Sequence, residues 1–319
     1  MREIFDGGGK NRSFASLLRP NLATENAPDD RWREESFASF LFLHSICRHA
    51  PIHFFPPHMI SKNTIKHIHS LSLKKFRTAT GTFVAEGPKA TADLLPLLPC
   101  EALYVTPDGL RHLEAKGMLQ QAVSRPQLVE VSQPELERLS LLKAPREMLG
   151  VFEMPQSEDR RAELVQMARS QLCLALDGVQ DPGNLGTIIR IADWFGIEHI
   201  FASPDTADAY APKVVQATMG AIGRVRIHYL PLAGFLCECS NEVPVYGTFL
   251  NGENIHAKQL ATHGIIVMGN EGKGITPEVG ACVSERLFIP NYPAGRATSE
   301  SLNVAVATAI ICSEFRRRA

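Results

Sequence analysis

Apolar residues along 82–319 recur in two rhythms: short unbroken runs, and longer segments in which they return every three or four positions. The unbroken runs are rich in Val, Ile and Leu and predict strands over 173–176, 199–202, 224–229, 245–250, 264–268 and 286–289. Between and after them the helical spacing predicts helices over 186–195, 212–221, 232–239, 255–260, 276–281 and 301–317. Strands without polar alternation, separated by helices, make a mostly parallel sheet buried on both faces. A shorter version of the pattern fills 81–154, with strands over 81–86, 103–105, 128–131 and 149–154. Helices are expected over 88–97 and 109–119 and from Pro134 onward, which together make a small α/β domain. The polar stretch 155–159 has no apolar period and precedes a charged helix over 160–169, so the boundary falls there and divides 59–155 from 160–319.

Residues 1–58 show neither period; they read as a disordered or spurious N-terminal extension, with a start at Met59 favoured. From Met59 the apolar residues Ile60, Ile65, Ile68, Leu71 and Leu73 are interleaved with Lys62, Lys66, Lys74, Lys75 and Arg77, and no acid occurs until Glu86. An amphipathic helix followed by a basic loop would present one positive face, suited to a phosphate backbone. The plainer reading of such a charge run is a solvated helix face.

Composition narrows the class. With 45% hydrophobic and 21% charged residues the chain is globular, neither disordered nor collagen-like. No apolar run approaches 18 residues, so no membrane partner is expected. The net charge of −1 means that any nucleic acid must be bound by a local basic patch. The seven cysteines form no C-x-x-C pair, which predicts free thiols, no zinc site, and a reducing compartment, the cytoplasm.

Three loops that follow strands concentrate Gly, Asn and small polar residues where an open α/β sheet places its ligand. In DGVQDPGNLGTIIR, residues 177–190, Asn184 can cap the helix, Gly186 permits close backbone approach, and Arg190 lies one turn further on. Taken singly, a cap and a surface cation explain Asn184 and Arg190 as well as chemistry does. In GNEGKG, residues 269–274, neither a phosphate-binding G-x-x-x-x-G-K-[ST] nor a dinucleotide G-x-G-x-x-G is present. In IPNYPAGRATSESLN, residues 289–303, Ser301 is the expected N-cap and Asn303 a first-turn residue.

In this order the three segments resemble the SpoU, or TrmH, family of RNA 2'-O-ribose methyltransferases. The motif N-x-G-x-x-x-R stands as Asn184, Gly186 and Arg190, and G-x-E-G-x-G as Gly269, Glu271, Gly272 and Gly274. The third stands as Ile289 and Pro290 followed by Ser301, Leu302, Asn303 and Val304. KVVQATMGA, residues 213–221, is similar to the family's intermediate helix, with Gln216 and Thr218 where Arg and Ser are usual. The stretch from Met59 to Lys89 resembles the substrate-binding domain that precedes the catalytic half in many members, with a fold similar to ribosomal protein L30e.

The resemblance implies a trefoil-knotted α/β methyltransferase domain behind a small L30e-like α/β domain, S-adenosyl-L-methionine as cofactor, structured RNA (ribosomal or transfer RNA) as partner, no metal, and a homodimer. It implies catalytic roles for Arg190, Asn184, Glu271, Ser301 and Asn303, and a cofactor pocket from Gly269, Ile289 and Leu302, lined also by Thr248 and Leu250. The basic residues Lys62, Lys66, Lys74, Lys75 and Arg77 would hold RNA. The loop 291–300 is longer than the family's turn. Arg190 is read as the cation that grips a phosphate and stabilises the developing alkoxide, since a guanidinium stays protonated. A non-catalytic RNA-binding or assembly factor on the same fold is the alternative, against which the intact Asn184, Arg190, Glu271 and Asn303 weigh. A nicotinamide-linked oxidoreductase is disfavoured by the missing dinucleotide fingerprint.

Overall fold

The computed structural model describes residues 60–155, 161–293, 296 and 301–317. The expectation for 1–58 lies outside the described residues. The described part opens with two short helices, α1 (Lys62–Ser70) and α2 (Lys74–Thr80), instead of one helix and a loop. Ser61 caps α1 by accepting from Thr64 N at 3.0 Å, and α2 ends on Gly81, whose φ of 70° suits glycine.

A four-stranded mixed sheet follows, built from β1 (Thr82–Glu86), β2 (Cys100–Val105), β3 (Gln127–Glu130) and β4 (Met148–Glu153) in the order β1-β4-β2-β3. Only β2 and β3 run parallel in it. Its helices are α3 (Pro88–Leu94), α4 (Pro107–Ala115), α5 (Met118–Gln121) and α6 (Gln133–Leu139).

After α7 (Arg161–Ser170) comes a six-stranded sheet whose described ladders are all parallel. Its strands are β5 (Leu172–Asp177), β6 (His199–Ala202), β7 (Arg226–Tyr229), β8 (Val245–Asn254), β9 (Gly264–Gly269) and β10 (Glu285–Phe288), ordered β10-β8-β9-β5-β6-β7. Its helices are α8 (Pro182–Trp194), α9 (Pro212–Thr218), α10 (Leu232–Cys239), α11 (Pro277–Gly280) and α12 (Val304–Arg317). From β5 the chain steps outward to β6 and β7, then crosses to the other side, so the strand order reverses between β5 and β9. Ligands of open α/β sheets bind outside the carboxyl ends of strands at such a point.

One apolar core runs through both sheets. Phe83 and Leu94 from the first half belong to the same buried cluster as Leu185, Val214, Ala221 and Ile222 from the second. Glycines make the closest approaches. A Cβ on Gly186 would lie 2.4 Å from Ala217 Cβ, so the motif glycine lets α8 sit on α9 and does not open room for a ligand.

Three expectations fail. No helix forms over 255–260, because the Asn254 carboxamide and carbonyl take the N–H groups of His256, Ala257 and Lys258 into a single turn. β8 instead runs on to Asn254, and its pairing with β10 jumps from Gly247 to Glu253 where Gly252 lies against the Leu287 backbone. Cys47 lies outside the described residues; among these the free thiols are Cys100, Cys173, Cys239 and Cys312, all buried, since Cys237 of α10 and Cys282 just after α11 form a disulfide. Their separation of 45 residues gives no pattern in sequence. No helix among the described residues is long and apolar enough to cross a membrane, and no group of His, Cys, Asp and Glu among them could hold a metal.

Candidate active site

The loops after β5 and β9 are stitched together at the point where the strand order reverses. Buried Asp177 accepts from Thr276 N at 2.7 Å and Thr276 Oγ1 at 2.8 Å, which closes the far side of the β9 loop onto β5. Asn270 Nδ2 donates to Gly178 O at 2.7 Å, while Asn270 Oδ1 accepts from Gly272 and Lys273 N–H groups and folds the loop on itself. The fold-back is tight: a Cβ on Gly269 would lie 2.4 Å from Gly274 C and Ile275 N.

Asp181, not Asn184, caps α8, accepting from Asn184 N at 2.8 Å. That leaves the Asn184 side chain for a longer reach. Its Nδ2 donates to Glu271 Oε1 at 2.8 Å, and its Oδ1 accepts from Asn303 Nδ2 at 2.9 Å. Asn303 in turn caps α12, its Oδ1 accepting from Ala305 N at 3.0 Å and Val306 N at 3.2 Å. Ser301, the expected cap, sits exposed before the helix.

The direction of this chain is dictated by its ends. An ionised carboxylate only accepts, so Asn184 must offer Glu271 its nitrogen and Asn303 its oxygen; Asn303 must then turn its own nitrogen to Asn184 and its oxygen to the helix N–H groups. The chain thus links the N-terminus of α12 to the Glu271 carboxylate and joins all three motif loops.

The parallel helices α8 and α12 are tied at both ends. At the start Asn303 meets Asn184; at the finish Arg316 donates to the carbonyls of Phe195 and Gly196 at 2.8 and 3.1 Å. Arg190 points outward from α8, exposed, and makes no hydrogen bond or ion pair with another described residue. A guanidinium so placed is available to a phosphate.

The residues expected around the adenosyl group lie at the carboxyl side of three adjacent strands. Thr248 follows the β8–β9 ladder and its Oγ1 donates to Val267 O at 3.2 Å; Gly269 ends β9; Ile289 follows β10 and is half-buried. Leu250 and Leu302 are 73% and 50% exposed. Exposed apolar side chains and the bare main chain of a glycine turn are groups of the kind that hold a flat, polar-edged ring such as an adenine.

The basic face is only partly as expected. Lys62, Lys66, Lys74 and Lys75 are exposed, with the Lys74 ammonium 5.5 Å from the centre of the Tyr229 ring. Arg77 is a correction. It is buried at 3% exposure, donates to Leu71 O at 2.7 Å and pairs with Asp208, so it cannot touch RNA. The break between α1 and α2 turns its side chain inward, which a single helical period across the segment could not show.

Comparison with known proteins agrees with the geometry. The model of the SpoU rRNA Methylase family matches residues 171–313, and that of the MRM3-like substrate binding domain matches residues 62–150. The 23S rRNA (guanosine(2553)-2'-O)-methyltransferase RlmP of Bacillus subtilis is 30% identical over 254 residues, covering 79% of this chain and 95% of that protein. A TrmH-family structure from Porphyromonas gingivalis has a TM-score of 0.70 at 40% identity, over 82% of this chain and all of the other. An AdoMet-bound rRNA methyltransferase from Sinorhizobium meliloti has a TM-score of 0.68 at 28% identity, over 83% and 98%.

Proposed function

The chain belongs to the SpoU rRNA methylase family, and from that premise we propose that it methylates a ribose 2'-hydroxyl of structured RNA with S-adenosylmethionine. The observation that carries the reading is the hydrogen-bonded chain Asn303–Asn184–Glu271, which gathers three motif loops that are far apart in sequence. Ribosomal RNA is the first substrate class, because the relative RlmP acts on a guanosine of 23S rRNA; transfer RNA is the second. Residues 59–155 form the RNA-binding part and 160–319 the catalytic part, with the knotted crossing that the family resemblance implies.

Gly269, Ile289 and Leu302 hold the adenosyl group, with Thr248 and Leu250 on its border. The bound cofactor supplies a methyl on a sulfonium, and the chain's own residues align the nucleophile. Arg190 grips a phosphate next to the target ribose and stabilises the developing alkoxide. Glu271, oriented through Asn184 and Asn303, fixes the loop edge facing it, and Ser301 lies on the approach. The hydroxyl proton leaves to phosphate or water. Alignment supplies much of the rate in such a displacement.

The protein acts as a homodimer. Trp194 is 84% exposed at the end of α8 and Val306 50% exposed near the start of α12, two separate apolar side chains of the kind a second copy would cover. Sedimentation at micromolar concentration should give twice the chain mass, and a fully active monomer would refute this. The cytoplasm is the location that goes with the reading, supported by four buried free thiols among the described residues, with the Cys237–Cys282 pair as the counter-observation.

The test is methyl transfer from labelled S-adenosylmethionine to protein-free ribosomal RNA and, separately, to transfer RNA, with products mapped by resistance to alkaline cleavage. A resistant linkage at one nucleotide is expected. Tight RNA binding with no methyl transfer to either RNA would favour the assembly-factor alternative.

A further inference from the structure

We propose that Arg77 and Asp208 are positioning residues: a clamp that fixes the lysine-bearing helices at a set distance from the methyl-transfer site, so that the enzyme measures from the RNA it grips to the ribose it modifies. The inference rests on the function proposed above. The apolar seam between the two sheets holds β1 and α3, through Phe83 and Leu94. Helix α2 lies beyond that seam and reaches the six-stranded half through two cations, Arg77 to Asp208 and Lys74 over Tyr229.

The receiving end is rigidly made. Asp208 uses its second oxygen to accept from Tyr210 N at 3.0 Å, and Tyr229 Oη donates to Ala207 O while accepting from Ala209 N at 2.9 Å. Tyr210 also packs on Phe83 with ring centres 5.0 Å apart. The other side of this same loop touches the site. Ala207 N donates to Val179 O at 2.9 Å, Gly178 N donates to Ser203 Oγ at 2.9 Å, and Gly178 O accepts from Asn270 of the β9 loop. Direct contacts therefore run from α2 through Asp208 and the 203–210 loop to the Gly178 and Asn270 turns.

A buried ion pair is a poor choice if stability alone is the aim, because desolvation offsets most of its attraction and an apolar pair of similar volume is often as stable. Here the burial is incomplete in its satisfaction: Arg77 Nε is buried with no hydrogen-bond partner. What the pair adds over an apolar contact is a fixed direction, which a distance-setting device needs.

The test uses the full chain with Arg77→Met and Asp208→Leu combined, an apolar replacement chosen to keep the fold. Two RNAs carry the nucleotide mapped as the wild-type target: a long one spanning the lysine face, and a short one reaching only the site. Wild type should prefer the long RNA. In the double variant that preference, as a ratio of kcat/KM values, should fall about tenfold, as expected when a tethered substrate loses its set geometry. Activity on the short RNA and affinity for S-adenosylmethionine should stay within about twofold, on the same argument that the site itself is untouched.

An unchanged ratio in a folded double variant would show the pair to be purely structural and overturn the proposal. Should the double variant not fold, Arg77→Lys, which keeps charge and loses the planar fork, is read the same way; an intermediate loss of preference supports the clamp and an unchanged ratio rejects it. Wild type that methylates neither RNA would instead refute the function proposed above, so the two failures are distinguishable.

Discussion

Asn184, Glu271 and Asn303 are held by one another across as many as 119 positions of sequence, whereas Lys62, Lys66 and Lys75 make no hydrogen bond or ion pair among the described residues. The first region is a chain of directed bonds at the edge of a parallel sheet, and the second is a row of cations on two short helices. Directed chains fail when any one member is lost, because the partners left behind are unpaired. Summed charge fails by degrees, because each cation releases its own share of counterions.

Arg190 probes the contrast most sharply, since it is exposed like the lysines yet assigned to the reacting centre. Arg190→Ala should lower kcat on the order of 10²–10³-fold with S-adenosylmethionine affinity near wild type, measured by single-turnover methyl transfer and calorimetry. Arg190→Lys should recover little of that loss, because a lysine keeps the charge without the fork. A lysine variant with most of the rate would move Arg190 into the class of summed charges. Simultaneous loss of cofactor and RNA binding in Arg190→Ala would make it structural.

A smaller effect is expected from the lysines, and it should be graded. Replacing Lys62, Lys66, Lys74 and Lys75 by Glu should reduce the log–log salt slope of RNA binding by roughly one for each phosphate that is no longer neutralised, with cofactor affinity unchanged. A slope that stays put would show α1 and α2 to be solvated faces only.

The smallest effect concerns Glu86, where the basic segment ends. It is buried at the end of β1, accepting from Leu141 N at 2.9 Å and from the Ser140 hydroxyl, and burial pushes its carboxyl above the usual range against those bonds. With its folded pKa raised, the group favours the folded state fully below the unfolded value and loses that contribution as pH rises through the folded one. Glu86→Gln should therefore flatten the decline in melting temperature from about pH 4.5 upward, 4.5 being the ordinary carboxyl value. An unchanged pH profile would exclude Glu86 as its source.

The parallel sheet and its glycine loops were legible because strand burial and turn chemistry are local. What each loop residue does was not. Asn184 reads as a cap and is freed from capping by Asp181, three residues earlier; Asn303 reads as a first-turn residue and is the cap itself. Both errors come from choosing among adjacent polar residues that all satisfy the same local rule. Arg77 was grouped with the lysines because its partner, Asp208, is 131 residues away. The jump in β8–β10 pairing depends on how Gly252 meets Leu287, a contact between strands that periodicity does not encode.

The bond between Asn303 and Asn184 also sets an order in time. Asn184 emerges from synthesis 119 residues before its partner, an interval of about 6–24 s at roughly 5–20 residues per second. Glu271 follows Asn184 by 87 residues, so both are made before the Asn303 amide that completes the hydrogen-bonded chain. A chain ending just before residue 303 would keep the lysine-bearing helices but lack Asn303 and the α12 residues Ile311 and Phe315 of the shared core, and is expected to transfer no methyl group.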